Sequence, residues 1–380
     1  MSKTAIVFTV IVILAVHVLV LFLALSPGSP ASSAPDQTGT EDVYVPPAVD
    51  PTPDVPPTTG PVTVPPVVQP GPAAVPEKTV TPASAETQIK RVTGKKYTGM
   101  PKDLDRRSAV LHPNGPPQMW KGTAKRATGI LVDMDNRKVL WQKDSLKQVP
   151  IASLTKIMTL LLVYEDMLKA DADLHLNSPI QITPEARAVP PSGVRFQPEE
   201  QSFPVEKLML AAAIRSANDA THLLAQAFGN GSAQTFINRM NTRARELGME
   251  NTVFYNAHGL PGKKVHPDNK STVTDLVRAC EVFLTYPELR EWSSMRIGTF
   301  RTKNDLVNHN HLLPGGRYSC QGVSGIKTGF TLNAGFCVAA VCTRNDRTLL
   351  AIVTGFGSAK ERDGYVKNLL NWGFKRIAQK

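Results

Sequence analysis

The first hydrophobic feature of this chain is an apolar run over residues 5–25, interrupted only by Thr9 and His17. About 20 apolar residues are needed to cross a bilayer, whereas a cleaved secretory signal usually has an apolar core of about 7–15 residues. Lys3 marks the cytoplasmic side of the run. We therefore predict that residues 1–26 form an uncleaved, single-pass signal anchor in the cell membrane. The rest of the chain is expected on the extracytoplasmic (periplasmic) side.

The next segment, residues 27–121, has neither a helical nor a strand pattern. Between residues 46 and 82, 13 of 37 positions are proline, and proline interrupts both helices and paired strands. We predict an extended linker whose proline-rich part reaches roughly 100 Å at about 3.1 Å per residue. The small residues Ala31-Ser32-Ser33-Ala34 offer a cleavage site as the second choice, but Pro35 directly after them makes it a poor one.

From residue 122 onward the hydrophobic positions have the periodicity of a folded domain, predicted over residues 122–380. Apolar, β-branched runs predict strands at residues 129–134, 139–142, 325–330, 335–342 and 348–355. Helical patterns cover residues 157–168, 205–227, 233–247, 272–284 and 360–377. We expect a break near Ser216 in the second helix, and a capping box formed by Thr272 and Asp275 in the fourth. Strands at both ends and helices between them predict an α+β (mixed α/β) fold, with one sheet made from sequence-distant strands and a helical insertion.

Composition narrows the possible partners. The net charge is +11, and residues 101–380 hold 37 Lys and Arg against 25 Asp and Glu, so the folded domain is basic and suited to anionic partners. The sequence has no Arg-rich helix, zinc-finger spacing or aromatic-basic interleaving, and we predict no nucleic-acid partner. The four cysteines have no CxxC spacing. A pairing of Cys320 with Cys342 stays open, and buried free thiols are the favoured state.

Ser153 and Lys156 form the first cluster that could carry out a reaction, at the start of the helix predicted from residue 157. Side chains three residues apart share one helix face, so the amine can reach the hydroxyl. A serine hydroxyl needs a base to become a nucleophile, and lysine is normally protonated. Burial and a second cation nearby would lower the lysine pKa and free its lone pair. Ser324 and Lys327 have the same spacing but lie in a strand pattern, where residues three apart point to opposite faces.

Ser216-Ala217-Asn218 is the second cluster, at the end of a helical run. Alone it is typical of an ordinary helix-terminus turn. Beside a nucleophile, the Ser216 hydroxyl can relay a proton to a leaving amine, and the Asn218 amide can bind a peptide carbonyl or hold Lys156.

Lys327-Thr328-Gly329 is the third cluster, in a predicted strand. Lys327 can supply positive potential and Thr328 a hydroxyl for a carboxylate. Gly329 allows a substrate backbone to approach and pair like an added strand. Alone, this cluster is typical of an ordinary strand.

Together, the three clusters, their order and their spacings of 63 and 111 residues resemble those of the low-molecular-mass penicillin-binding proteins, the serine D-alanyl-D-alanine carboxypeptidases. The resemblance covers roughly residues 122–378. Four further segments resemble the same family: Val149-Pro150-Ile151-Ala152, Asn256-Ala257-His258-Gly259-Leu260, Asn308-His309-Asn310-His311-Leu312-Leu313 and Leu369-Leu370-Asn371-Trp372-Gly373-Phe374.

The resemblance implies an antiparallel β-sheet covered by helices with a helical subdomain, similar to β-lactamases and transpeptidases. It implies that Ser153 attacks the bond between two terminal D-alanines of a peptidoglycan stem peptide, that Lys156 accepts its proton, and that β-lactams are inhibitors. It also implies an oxyanion hole made by the backbone N–H groups of Ser153 and Phe330. No metal or organic cofactor is implied, and we interpret His309 and His311 as loop or edge residues. The resulting candidate site comprises catalytic Ser153, Lys156, Ser216 and Asn218, and substrate-binding Lys327, Thr328, Gly329 and Phe330.

The same fold is compatible with three other functions. A D,D-endopeptidase differs only in cleft shape. A β-lactamase is disfavoured because no convincing Glu-x-x-Leu-Asn motif lies between Asn218 and Lys327. A wall-binding protein without turnover would have no need of Ser153 and Lys156. Ala217 also departs from the Gly or Asp that many relatives carry at that position.

Overall fold

The computed structural model describes residues 115–119, 121–190, 192–262 and 267–378. The predicted signal anchor (residues 1–26) lies outside the described residues, as does almost all of the predicted linker (residues 27–121). In the part of the chain that is described, no helix combines the length and the apolar character needed to cross a membrane.

The described elements follow one another in the order that the hydrophobic pattern predicts. The helices are α1 (Lys121–Arg126), α2 (Lys156–Met167), α3 (Pro184–Arg187), α4 (Val205–Leu210), α5 (Asn218–Ala227), α6 (Ala233–Glu246), α7 (Val273–Phe283), α8 (Pro287–Ser294) and α9 (Ala359–Ala378). The strands are β1 (Thr128–Asp133), β2 (Lys138–Lys143), β3 (Val149–Pro150), β4 (Pro179–Gln181), β5 (Ser202–Pro204), β6 (Lys270–Ser271), β7 (Ile297–Gly298), β8 (Leu306–Val307), β9 (Val323–Thr331), β10 (Gly335–Arg344) and β11 (Arg347–Phe356).

The main sheet has five strands in the order β2-β1-β11-β10-β9, and every neighbouring pair is antiparallel. The first two strands of the domain therefore pair with the last three, across the helical middle of the sequence. This arrangement confirms the predicted α+β class with an antiparallel sheet of sequence-distant strands. It also leaves β9, which carries the third cluster, at the edge of this sheet.

Both faces of the sheet are covered, because successive side chains of a strand point to opposite faces. Ile130 and Val132 of β1 join the apolar cluster formed with α2 and the helical middle of the chain. Leu131, between them, joins a second cluster with Val366 and Leu369 of α9. All six residues of β1 are buried as a result.

Helix α2 is the central helix, and the first nine of its residues, Lys156 to Tyr164, are all buried. This agrees with the prediction of a helix that is apolar almost all round. Among these residues is a lysine, whose amine is therefore removed from water.

Local details differ from the sequence predictions in three places. The helix α1 (Lys121–Arg126) was not among the predicted helices, the first of which covers residues 157–168. The side chain of Thr272 caps α7 by accepting a hydrogen bond from Asp275 N (2.9 Å), but the Asp275 carboxylate accepts from Asn251 N and Thr252 Oγ1 (both 2.9 Å) rather than completing a capping box. The predicted helix 205–227 breaks near Ser216 as expected, but a π-helical turn that was not predicted, Ala211–Arg215, precedes the break. The four cysteines are buried free thiols, the state that the sequence favours.

Candidate active site

Ser153 lies in a 3₁₀ turn, Ala152–Thr155, directly before the first residue of α2. The sequence predicts an α-helical start, and the tighter turn brings residues i and i+3 into closer register, because a 3₁₀-helix has three residues per turn. Lys156 Nζ lies 3.0 Å from Ser153 Oγ. Ser153 is partly exposed, whereas Ala152, Leu154 and Lys156 are buried, so a ligand can reach the hydroxyl.

The Lys156 amine is fully buried and has three oxygen neighbours. It donates to Asn218 Oδ1 (2.7 Å) and to the backbone carbonyl of His258 (2.7 Å), and Ser153 Oγ is the third neighbour. Burial lowers the pKa of Lys156 well below its usual value, and the charge of Lys327 lowers it further, while the charge of Asp219 opposes both. These are the two causes that the sequence predicted, and Lys327 is the second cation.

The direction of the Lys156 lone pair follows from this arrangement. A neutral amine has two N–H groups and one lone pair, and the carbonyl of His258 and the amide oxygen of Asn218 can only accept hydrogen bonds. When both N–H groups are used in this way, the lone pair is left for the Ser153 hydroxyl. The geometry is that of a base poised beside its nucleophile.

The second cluster lies where the π-helical turn meets α5. Ser216 is buried and adopts a left-handed conformation (φ 64°), which ends the π-helix. Asn218 is the first residue of α5, and the turn between the two helices directs its side chain to Lys156. The predicted break near Ser216 is therefore present, and it places Asn218 at the amine.

Strand β9 passes directly beside the 3₁₀ turn Ala152–Thr155, which we call the catalytic turn because it holds the candidate nucleophile Ser153. A Cβ atom at Gly329 would lie 3.0 Å from Ser153 N and 3.2 Å from Ala152 Cβ, so a residue with a side chain would push β9 away from the nucleophile. Lys327 and Thr328 are buried, and Phe330 is 48% exposed, with its ring 4.1 Å from that of Phe336. The structure thus brings the third cluster to the nucleophile.

The surroundings of Lys327 also shift the pKa of its amine. Burial and the nearby Arg362 charge lower the pKa of Lys327 to about 7. Its amine donates to the Thr328 carbonyl (3.2 Å). Ser324, three residues earlier, is exposed, which agrees with the prediction that this second Ser-x-x-Lys spacing does not form a catalytic pair. In the described part of the chain, no group of three or more His, Cys, Asp or Glu side chains is arranged to hold a metal ion.

Sequence reasoning missed the role of the loop 254–260. Its His258 carbonyl accepts a hydrogen bond from Lys156 Nζ, although the candidate site drawn from the sequence includes no residue of this loop. Gly259 has φ 88°, and a Cβ there would lie 1.9 Å from Ala152 O. Burial and the Lys156 charge lower the pKa of His258 to about 3, so the imidazole is neutral. The segment was noticed as a motif, but a backbone carbonyl leaves no signal in the sequence.

Comparisons with known proteins agree with this geometry. The D-alanyl-D-alanine carboxypeptidase family matches residues 116–357. The D-alanyl-D-alanine carboxypeptidase DacF of Bacillus subtilis is 30% identical over 253 residues, which cover 66% of this chain and 62% of DacF. A D-alanyl-D-alanine endopeptidase of Pseudomonas aeruginosa is 34% identical over 236 residues, which cover 60% of this chain and 71% of that protein.

A solved structure is similar over the same region. Penicillin-Binding Protein D2 from Listeria monocytogenes, in its ampicillin-bound form, has a TM-score of 0.59 and 28% identity, covering 68% of this chain and 100% of that one. This likeness confirms the transpeptidase-like fold class. The chain spans about three fifths of the length of DacF, and the family match extends over more than half of the chain. The chain belongs to the D-alanyl-D-alanine carboxypeptidase family.

Proposed function

We propose that this protein is a serine-type D-Ala-D-Ala carboxypeptidase that removes the terminal D-alanine from peptidoglycan stem peptides through an acyl-serine intermediate. The observation that carries the proposal is the environment of Lys156. Its amine is buried, its pKa is lowered, and it has two acceptors for its N–H groups and the Ser153 hydroxyl 3.0 Å away. A protein that only binds wall peptides has no need of such a base.

In the acylation step, Ser153 Oγ attacks the carbonyl between the two D-alanines while Lys156 takes the hydroxyl proton. The backbone N–H groups of Ser153 and Phe330 bind the negative charge that develops on the carbonyl oxygen. Collapse of the tetrahedral intermediate breaks the C–N bond, and the released amine takes up a proton through Ser216. The acyl group remains on Ser153, and free D-alanine leaves.

The substrate is held along β9. Lys327 and Thr328 bind the terminal carboxylate, as a buried cation and hydroxyl suit an anion. Gly329 leaves room for the peptide backbone beside the catalytic turn, and the substrate pairs with the edge strand. Water then attacks the acyl-serine ester, with Lys156 accepting a proton from water and returning it to Ser153 Oγ.

β-Lactams are expected to acylate the same serine. The similar Penicillin-Binding Protein D2 was solved in ampicillin-bound and cefotaxime-bound forms. A penicillin presents in one small molecule a carboxylate for Lys327 and Thr328 and a strained amide for Ser153.

The proposal also includes the location of the enzyme. Residues 1–26 anchor the chain in the cell membrane, and residues 27–121 hold the catalytic domain on the extracytoplasmic side. Support comes from the 21-residue apolar run and the proline-rich composition of the sequence. At a reach of roughly 100 Å for the proline-rich part, the domain would meet the wall away from the membrane surface.

A D,D-endopeptidase that cuts peptide cross-links is the second candidate. It is favoured by one observation, the 34% identity with the endopeptidase of Pseudomonas aeruginosa over 71% of that protein. Both reactions use the same acyl-serine chemistry, and they differ in the leaving group that the cleft admits.

One experiment separates these functions. The full-length protein is incubated with a synthetic pentapeptide ending in two D-alanines and, separately, with a cross-linked dimer, and the products are analysed by mass spectrometry. A carboxypeptidase releases D-alanine from the pentapeptide, and an endopeptidase cuts the dimer. Ser153→Ala is the control and should release neither product. Cleavage by that variant, or no cleavage by the wild type, would refute the proposal.

A further inference from the structure

Asn269 connects the two sides of the catalytic turn. The residue immediately precedes β6 and is 2% exposed. Its backbone carbonyl accepts from Ile151 N (3.2 Å), two residues before Ser153. Its side-chain Nδ2 donates to Thr155 Oγ1 (3.0 Å), two residues after Ser153. One buried residue therefore holds the chain on both sides of the nucleophile.

The same side chain also holds the loop 254–260. Asn269 Oδ1 accepts from Tyr255 N (2.7 Å) and Asn256 N (3.1 Å), and Nδ2 donates to the Asn256 carbonyl (2.8 Å). An amide side chain has two acceptor lone pairs and two N–H groups, so the amide of Asn269 is fully used. The side chain of Asn269 therefore forms hydrogen bonds with both the catalytic turn and the loop.

The loop in turn fixes the position of the His258 carbonyl, which is a hydrogen-bond partner of Lys156. Asn256 Oδ1 accepts from His258 N (3.2 Å) and Gly259 N (2.6 Å), which orients the peptide groups around His258. The His258 carbonyl then accepts from Lys156 Nζ. A continuous chain of hydrogen bonds thus connects Asn269 to the amine.

We propose that Asn269 is a positioning residue for acylation: by joining the loop 254–260 to the catalytic turn, it keeps the His258 carbonyl on Lys156 Nζ and the lone pair of the amine on Ser153 Oγ. The inference rests on the proposed function, because it assumes that Lys156 is the base. If the carbonyl moved away, one N–H of Lys156 would turn to Ser153 Oγ, and the amine would donate to the hydroxyl instead of accepting its proton.

The test uses Asn269→Ala in the full-length protein and the acylation kinetics of a fluorescent penicillin. Time courses at several concentrations give the acylation rate constant k2 and the dissociation constant K of the non-covalent complex. Because a misplacement of about 1 Å can reduce a catalytic rate by about 10²-fold, we expect k2 to fall by about that factor. K should stay unchanged, since the carboxylate is bound on β9.

Asn241→Ala is the matched control. Asn241 holds the first residue of the same loop, where Oδ1 accepts from Phe254 N (2.8 Å) and Nδ2 donates to the Phe254 and Ile237 carbonyls (2.8 and 3.2 Å). Asn241→Ala also removes one amide side chain, but it leaves the hydrogen bonds of Asn269 to the catalytic turn in place. We expect a lower melting temperature and an unchanged k2.

The outcomes separate the inference from the proposed function. Wild-type protein that fails to react with the penicillin would refute the proposed function and the inference with it. Wild-type labelling together with an unchanged k2 in Asn269→Ala, or an equal loss of k2 in Asn241→Ala, would refute the inference alone. If Asn269→Ala does not fold, Asn269→Asp keeps the acceptor oxygen for Tyr255 N and Asn256 N but loses the donor for Thr155 Oγ1 and for the Asn256 carbonyl. A reduced k2 in that variant supports the inference, and a wild-type k2 overturns it.

Discussion

Two regions of this molecule each contribute a buried lysine, and the environments of the two amines differ. Lys156, at the start of α2, has three oxygen neighbours within 3.0 Å of its amine. Lys327, in the middle of β9, donates to the Thr328 carbonyl at 3.2 Å, and this is the hydrogen bond that the described residues give it. The Lys156 amine lies within hydrogen-bonding distance of the Ser153 hydroxyl, from which it could accept a proton. The Lys327 amine has hydrogen-bonding capacity left for a ligand.

The electrostatics of the two regions support each other. Burial lowers the pKa of both amines, and Arg362 adds to the effect at Lys327, where the pKa is about 7. A protonated Lys327 in turn lowers the pKa of Lys156. Lys327, while it is protonated, therefore favours the neutral form of the Lys156 amine, which is the form that a base requires.

The largest effect is expected from removing Lys156, the proposed base. Lys156→Met keeps much of the buried volume but removes the amine, and the rate constant for acylation by a labelled penicillin should fall by about 10²–10⁴-fold, the usual contribution of a general base. Stopped-flow or gel-based time courses measure it, and circular dichroism checks that the variant is folded. A folded variant with a wild-type acylation rate would show that Lys156 is not the base for acylation.

A smaller effect is expected from the lysine of β9. Hydrogen bonds to charged groups contribute about 1.5–3 kcal/mol, so Lys327→Ala should weaken the non-covalent binding of a penicillin by about 10–100-fold. The methyl ester of the same penicillin lacks the carboxylate and serves as the control. Equal losses for the acid and the ester would show that Lys327 does not bind the carboxylate.

The pH dependence separates the two lysines further. Lys327 is protonated below its pKa of about 7, so binding of the carboxylate should weaken as the pH rises above about 7, approaching tenfold per pH unit. In Lys327→Arg the guanidinium stays charged, and this alkaline loss should disappear. The acylation rate constant has the opposite sign: it should fall at low pH, where Lys156 becomes protonated. An alkaline loss that persists in Lys327→Arg would contradict the assignment.

The smallest effect is expected from Asp219, whose charge raises the pKa of Lys156. Its Oδ1 also accepts from Val194 N (3.1 Å) and its Oδ2 from Arg195 N (2.8 Å), and the single amide oxygen of Asn can keep one of these two hydrogen bonds. Asp219→Asn should move the acidic decline of the acylation rate to lower pH. Glu185→Gln, at an exposed carboxylate near His222, is the control and should leave that decline in place. A shift to higher pH in Asp219→Asn would contradict the electrostatic argument.

Much of the fold was accessible from the sequence because its elements have strong periodicity. The strands 128–133 and 347–356 pair with each other across most of the domain, and both were recognisable as apolar runs. Their pairing was inferred only from the general need to bury them. The 3₁₀ turn at Ser153 and the π-helical turn before Ser216 were not predicted in their observed form, since both depend on packing rather than on local propensity.

The sequence by itself determined which chemical groups are present: a serine three residues before a lysine, the Ser216–Asn218 cluster, and a Lys-Thr-Gly segment in a strand. Only the tertiary structure decided what these groups do to each other. Hydrogen-bond direction and charge separation depend on distances between residues far apart in the chain, such as Lys156 with the His258 carbonyl and with Lys327. Backbone carbonyls are present at every residue, so only folding could select the one at His258, and with it the side chain of Asn269 that holds it in place.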